Sequence, residues 1–334
     1  MLRFVLRRLA LMVPVLVGLS ILLFAWVRAL PGDPARSLLG ERATPEGIDR
    51  INAAYGFDRP ILEQYFLYVK ALLQGDFGNS IQTSRPVVES FTERFPATLE
   101  LGVTALVFAV VVGVPLGYLA ARNQGHLLDT LVVSGSLLGV VTPVFFLAIL
   151  LKLVFADLLS WLPTSLRADP RIDATHVTNF YVLDGILTQE WDAALDAAMH
   201  LVLPALALGT IPLAIIVRIT RASVAEVLHE DYVRTAEAKG LARSTISRRH
   251  VLRNALLPVV TTIGLQAGLL LSGAVLTETV FSFNGIGQYL FEAIGQRDYP
   301  VLQGFIIFIA IVYSLINLVV DVLYGVIDPR VRAA

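Results

Sequence analysis

Residues Ala97–Ala121 read ATLELGVTALVFAVVVGVPLGYLAA. Glu100 is the single charge in this run. A bilayer core of about 30 Å needs about 20 mostly apolar residues as helix, and this run supplies them. Five more stretches share its character: Leu9–Leu30, Leu128–Leu159, His200–Thr220, Ala255–Leu276 and Val301–Val326. The third span of the six is long, and Thr142-Pro143 marks where it can tilt or break. The expected fold is all-α: a polytopic membrane bundle of six transmembrane helices.

Composition agrees. Of 334 residues, 56% are hydrophobic and 16% charged. A soluble domain is nearer 45–50% apolar and about 25% charged. This disfavours an ordinary soluble enzyme, a disordered chain or a nucleic-acid binder. There is no cysteine, which excludes disulfides, thiolate metal sites and a cysteine nucleophile. The first stretch follows Arg3, Arg7 and Arg8, as a signal peptide would. Its apolar part is too long for a signal, and Arg28 stands where small cleavage-site residues belong, so a retained helix is expected.

Orientation follows Lys and Arg. With the N-terminus in the cytoplasm, the inner side collects 14 basic and 7 acidic residues, and the outer side 11 and 20. Both termini are then cytoplasmic. The expected organisation is a tail and first helix at 1–30, an outer cap at 31–96, and a core of five spans at 97–330. The core carries an outer loop at 160–199 and an inner loop at 221–258. The cap shows helical spacing at Ile61, Tyr65, Tyr68, Val69, Leu72 and Leu73. Pro31-Gly-Asp-Pro34 reads as a rigid turn, with Asp33 bonding locally.

Catalytic patterns are missing. No phosphate-binding G-x-x-x-x-G-K-[ST] occurs, His229-Glu230 lacks the second histidine of a zinc site, and Gly285-Ile-Gly287 reads as a turn. Lys152 and Asp321 lie within spans, where each either lines a polar path or makes a structural pair. Small residues at Gly264, Gly268, Ser272 and Gly273 allow close helix approach in the fifth span. They and the following Thr277–Gly287 segment, with Glu278, are candidates for a pathway or outer gate; helix packing is the alternative.

The inner loop is the most informative segment. Val224, Leu228, Tyr232 and Ala236 recur at i+4, which places them on one helical face. Gly240 suits a left-handed C-cap, and Ser244 suits the cap of a second, basic helix running towards Pro258. Such an elbow is either a dock for a cytoplasmic partner or a pair of membrane-surface helices on lipid headgroups.

The stretch Asp231-Tyr-Val-Arg-Thr-Ala-Glu-Ala-Lys-Gly240, continuing to Arg253-Asn-Ala-Leu-Leu-Pro258, resembles the "EAA" loop of permease subunits in bacterial ABC importers. It is most similar to the dipeptide/oligopeptide branch. Ala236, Gly240 and Pro258 match the framing positions. Arg234 and Thr235 replace the general Glu and Ala, as in the peptide branch, and Glu237 departs from the basic residue common there. Further likeness lies in Leu30-Pro-Gly-Asp-Pro34, Gly75-Asp-Phe-Gly78, Ala97-Thr-Leu-Glu-Leu-Gly102, Thr277-Glu-Thr279, Arg297-Asp-Tyr-Pro300 and Asp328-Pro-Arg330. Leu166–Ala194 matches least.

The resemblance implies a type I ABC importer permease fold in the bacterial inner membrane. It implies half of a translocation pathway for dipeptides or short peptides, beside a homologous second permease subunit. Two cytoplasmic ABC ATPase subunits, holding ATP and Mg, would dock at Tyr232, Ala236, Gly240 and Pro258. An extracytoplasmic binding protein would deliver cargo to the outer loops. No catalytic residue, cofactor or metal is expected in this chain, and no nucleic acid; membrane lipid is its surroundings. The competing readings are a secondary transporter and a non-transport membrane scaffold or enzyme.

Overall fold

The computed structural model describes residues 2–29, 44–55 and 58–327. Pro31-Gly-Asp-Pro34, Asp33 included, and Asp328-Pro-Arg330 lie outside them, as does the side chain of Asp321. The elements are helical: α1 (Leu2–Ala29), α2 (Pro45–Tyr55), α3 (Ile61–Leu73), α4 (Val87–Arg122), α5 (Leu127–Val141), α6 (Val144–Leu151), α7 (Tyr181–Leu187), α8 (Trp191–Leu228), α9 (Asp231–Ala238), α10 (Arg243–Thr245), α11 (Arg253–Phe281), α12 (Ile286–Gln296) and α13 (Tyr299–Ile327). Wider π-helical turns extend α6 over Lys152–Leu158 and join α10 to α11 over Ile246–Leu252.

Among the described residues, four helices are long and apolar enough to cross a membrane singly, and two bent pairs, each counted as one span, bring the number to six. One pair is Leu127–Val141 with Val144–Leu158, bent by 103° at Thr142-Pro143. Proline disfavours helical backbone at the residue before it, and Thr142 accordingly has ψ 123°. The other pair, Arg243–Leu270 with Ala274–Phe281, bends by 55°.

Several boundaries differ from the sequence reading. α4 begins at Val87 rather than Ala97, and α8 runs from Trp191 to Leu228, well beyond His200–Thr220 at both ends. Hydropathy marks the part in lipid, but backbone hydrogen bonding continues past the apolar limit. Residues 191–199 and 221–228, assigned to the outer and inner connections, are turns of the same helix as the span between them.

The chain forms two compact units, 1–94 with 289–334, and 95–288. In the first, α1 packs against α13, and Gln303 Nε2 donates to the Leu23 carbonyl at 3.2 Å. Phe91 stacks on Phe308 with ring centroids 4.2 Å apart. Asp298, buried at the start of α13, accepts from the Ser80 hydroxyl at 2.6 Å and from the Ile81 amide at 3.2 Å. The Gly75–Gly78 and Arg297–Pro300 motifs meet beside these bonds, where a Cβ added to Gly78 would lie 3.5 Å from the Pro300 Cβ.

In the second unit α8 is the central helix, contacting α5, α6, α7 and α11. α4 also packs on it through Gly117, where an added Cβ would lie 2.6 Å from both the Thr220 Cβ and the Val217 carbonyl oxygen. Small residues permit this close approach of membrane helices. Leu101, Ala105, Leu201, Leu208 and Phe283 share one buried cluster. Lys152 Nζ reaches the Val280 carbonyl at 3.4 Å, a structural bond that ties the end of α6 to α11.

Candidate functional site

The elbow after α8 is a small folded unit. α8 ends at Leu228, α9 starts at Asp231, and the chain then turns at Gly240 with φ +74°. The Leu241 amide reaches back to the Ala236 carbonyl at 3.3 Å, which closes the end of α9 as a left-handed cap. No heavy atom lies within 4 Å of a Cβ built on Gly240, so what demands glycine there is backbone conformation and not space.

The elbow has its own core. Val233, Ala236, Ile246, Val251 and Ala255 are buried together with Val224 of α8 and Ala121 of α4. Tyr118 of α4 hydrogen-bonds Ser247, and Ser223 of α8 donates to the Ala255 carbonyl at 2.9 Å. Two membrane helices therefore hold the elbow directly, and its second arm becomes α11 without a break.

Three sequence expectations change here. The i+4 series crosses a helix break at His229-Glu230, so Val233 takes the buried position and Tyr232 stays 40% exposed. The Tyr232 hydroxyl instead accepts from Asn254 Nδ2 at 3.0 Å, bridging α9 to α11. Ser244 caps nothing, because Ala242 holds the cap position of α10. Ala236 is buried in the elbow's core, so internal packing already requires its small size. Pro258 is exposed within α11, which continues through it. Leu241, on the turn beside Gly240, is 42% exposed and flanked by exposed Lys239 and Arg243. Nothing in hydrophobic periodicity singles out a leucine on a turn.

The second cluster lies near the other end of α11. Gly268 is buried, and the surroundings of Ser272 and Gly273 lie outside the described residues. Glu278 is fully buried. One carboxylate oxygen accepts from the Thr98 hydroxyl at 2.6 Å, and the other from the Gln288 amide at 3.0 Å. Thr98 Oγ1 in turn accepts from the Ile286 amide at 2.9 Å. Gly285 lies so close that an added Cβ would be 2.4 Å from the Glu278 carboxyl carbon. Gly285-Ile-Gly287 is thus a turn closed over a buried carboxyl group. The elbow residues and Glu278 are not one site: Pro258 and Glu278 are 20 residues apart, about 30 Å of helical rise along a path that bends by 55°.

Residues 160–199 carry the third feature. Arg167, buried, donates to Glu100 at 3.0 Å and to the Asn179 carbonyl at 2.8 Å, with its guanidinium 3.8 Å from the Tyr181 ring centroid. Beside it is an open cavity of about 460 Å³ lined by Asp169, Arg171, Asp173, His176, Tyr181 and Asp196, among others. The Arg171 guanidinium, and then its amide, hold the Asp169 carboxyl down at about 2. The Thr175 amide, and then its hydroxyl, lower Glu190.

A family described as the binding-protein-dependent transport system inner membrane component matches residues 113–333, and the N-terminal model of such membrane components matches residues 1–102. The chain is 46% identical over 336 residues to the dipeptide transport system permease protein DppB of Escherichia coli K12, covering 99% of each. It is 45% identical over 332 residues to the protein of the same name from Alkalihalophilus pseudofirmus, covering 99% of this chain and 100% of that one. The glutathione transport system permease protein GsiC of Escherichia coli O1:K1 / APEC is 39% identical over 332 residues, with 99% of each covered. Among solved structures, the MetNI methionine ABC transporter aligns with TM-score 0.51 at 16% identity, over 70% of this chain and 93% of that one. The fold is therefore that of a type I ABC importer permease.

Proposed function

The chain belongs to the family of binding-protein-dependent transport system inner membrane components, and on that premise we propose that it is the permease subunit of an ATP-driven importer of dipeptides or other short peptides. It forms half of the pathway beside a homologous second permease subunit. Two cytoplasmic ATPases, which hold ATP and Mg, dock at the elbow. A binding protein delivers peptide to the face carrying residues 160–199, and both termini are cytoplasmic. The cargo reading is supported by the names of relatives that match over nearly the whole chain.

The observation that carries the mechanism is the elbow's mounting. Its core includes Ala121 of α4 and Val224 of α8, and its second arm is continuous with α11. A partner that pulls on α9 therefore moves three membrane helices with no flexible linker between. ATP shifts the pathway between states only through a difference in ATPase affinity for them. Glu278, Gly268, Ser272 and Gly273 belong to the α11 end remote from the ATPases, where the gate is proposed.

The test is reconstitution of the chain with the second permease, the ATPases and the binding protein in vesicles. Labelled dipeptide should accumulate only with ATP and all partners present. Uptake driven by an ion gradient without the ATPases would replace this reading with a secondary transporter. Glutathione belongs in the same panel, since one relative is named for it.

A further inference from the structure

We propose that α3 (Ile61–Leu73) is an interfacial membrane helix whose Leu62, Phe66 and Leu73 side chains lie among lipid acyl chains beside α1. The proposal rests on α1 crossing the bilayer and is independent of cargo and ATPase.

α3 has 13 residues, about 20 Å of helix, too short to cross a core of about 30 Å. At about 100° per residue its side chains fall on three faces. One face holds Tyr65 and Tyr68 and packs on α1. The Ser20 and Tyr65 hydroxyls are 2.9 Å apart, and the Phe24 ring meets Tyr65 edge-on with centroids 5.2 Å apart and Tyr68 at 5.7 Å. The adjoining face is Leu62, Phe66 and Leu73, which are 80%, 67% and 84% exposed. Glu63, Gln64 and Lys70 share the third, with Leu67 and Ala71 between them.

Depth decides what meets the bare apolar face. The apolar run of α1 starts at Leu9, after Arg7 and Arg8, and the next charge along the helix is Arg28. Phe24 lies four residues and Ser20 eight residues before Arg28, so Ser20 is about 12 Å inside the charged end of the helix. A helix seated on Ser20 and Phe24 is at the depth of acyl chains, not above the membrane. At the same level α1 bares apolar side chains of its own, Ile21 and Leu22, which are 50% and 61% exposed. The polar face of Glu63 and Lys70 then points to headgroups and water, as amphipathic interfacial helices require.

The chain has no cysteine, so single nitroxide labels are unambiguous. Leu62→Cys, Phe66→Cys, Leu73→Cys, Glu63→Cys and Lys70→Cys are labelled in the complete transporter, in phosphatidylethanolamine/phosphatidylglycerol vesicles. Collision with oxygen should exceed collision with a polar nickel chelate several-fold at 62, 66 and 73, and the ratio should fall at 63 and 70. Nickel-dominated collision at 62, 66 and 73 would mean water and overturn the proposal. Low collision with both reagents at an immobile label would mean protein cover, by residues 30–43 or a partner, and overturn it equally. As a second readout, Phe66→Trp should gain fluorescence that acyl-chain-brominated lipid quenches; an unquenched gain counts against the proposal.

Discussion

Thr98 donates its hydroxyl proton to Glu278 across 2.6 Å, although 180 residues separate them in the chain. The same Thr98 oxygen accepts from the Ile286 amide, so one side chain joins α4, the end of α11 and the turn that starts α12. Thr98→Val keeps the volume but removes both bonds, leaving a buried carboxyl oxygen and a buried amide short of partners. We expect a loss of about 1–3 kcal/mol in stability, read as a lower midpoint of unfolding in detergent. Gly285→Ala should act on the same network by displacing the carboxyl group. Wild-type midpoints in both variants would mean that the bonds contribute nothing.

At the elbow, two kinds of substitution separate folding from docking. Gly240→Val forces a β-branched residue to φ +74°, at a cost of about 1–3 kcal/mol. Ala236→Arg puts a charge into the buried cluster and should do more harm. Both should reduce ATPase co-purification through a damaged elbow. Leu241→Glu changes an exposed side chain and should leave the fold intact while weakening ATPase capture and ATP-driven uptake. If neutralising exposed Arg248, Arg249 and Arg253 matters and Leu241→Glu does not, the elbow is a lipid contact instead of a dock.

Topology has a direct assay. Thr164 and Ser244 are exposed and flank α8, a single membrane helix. Thr164→Cys should react with a membrane-impermeant maleimide from outside in intact cells, and Ser244→Cys only after permeabilisation. Reaction of both from one side would break the six-span arrangement.

The 160–199 segment should respond to acid but not to pH near neutrality. Asp169 and Glu190 are held below their ordinary values of 3.8 and 4.5 by bonds made in the folded state. Carboxyls lowered in this way stabilise above their unfolded pKa and lose that contribution as pH falls through the folded one. Hydrogen exchange across residues 169–190 should be flat, after correction for intrinsic rates, from pH 5 to 8. Protection should decline below about pH 4. Arg171→Ala brings Asp169 back toward its ordinary value, so the Asp169 share of that acid decline should shrink or disappear.

Hydropathy alone established the helical class, the six apolar stretches and the break at Thr142-Pro143, because lipid leaves the backbone no alternative to internal hydrogen bonds. Local chemistry placed α3 and the turn at Gly240, where one φ value excludes most side chains. The tertiary structure decided what distant residues do to one another. Glu278 found Thr98, Arg167 found Glu100, and Asp298 found Ser80. Tyr232 shows the limit from the other direction: its i+4 spacing put it on one helical face with Val224 and Ala236, but after the helix break at His229-Glu230 it is Val233 that joins them in the core. Periodicity records which face a residue would share on an unbroken helix. Which carboxyl groups are buried, and what satisfies them, depends on contacts between segments scores of residues apart.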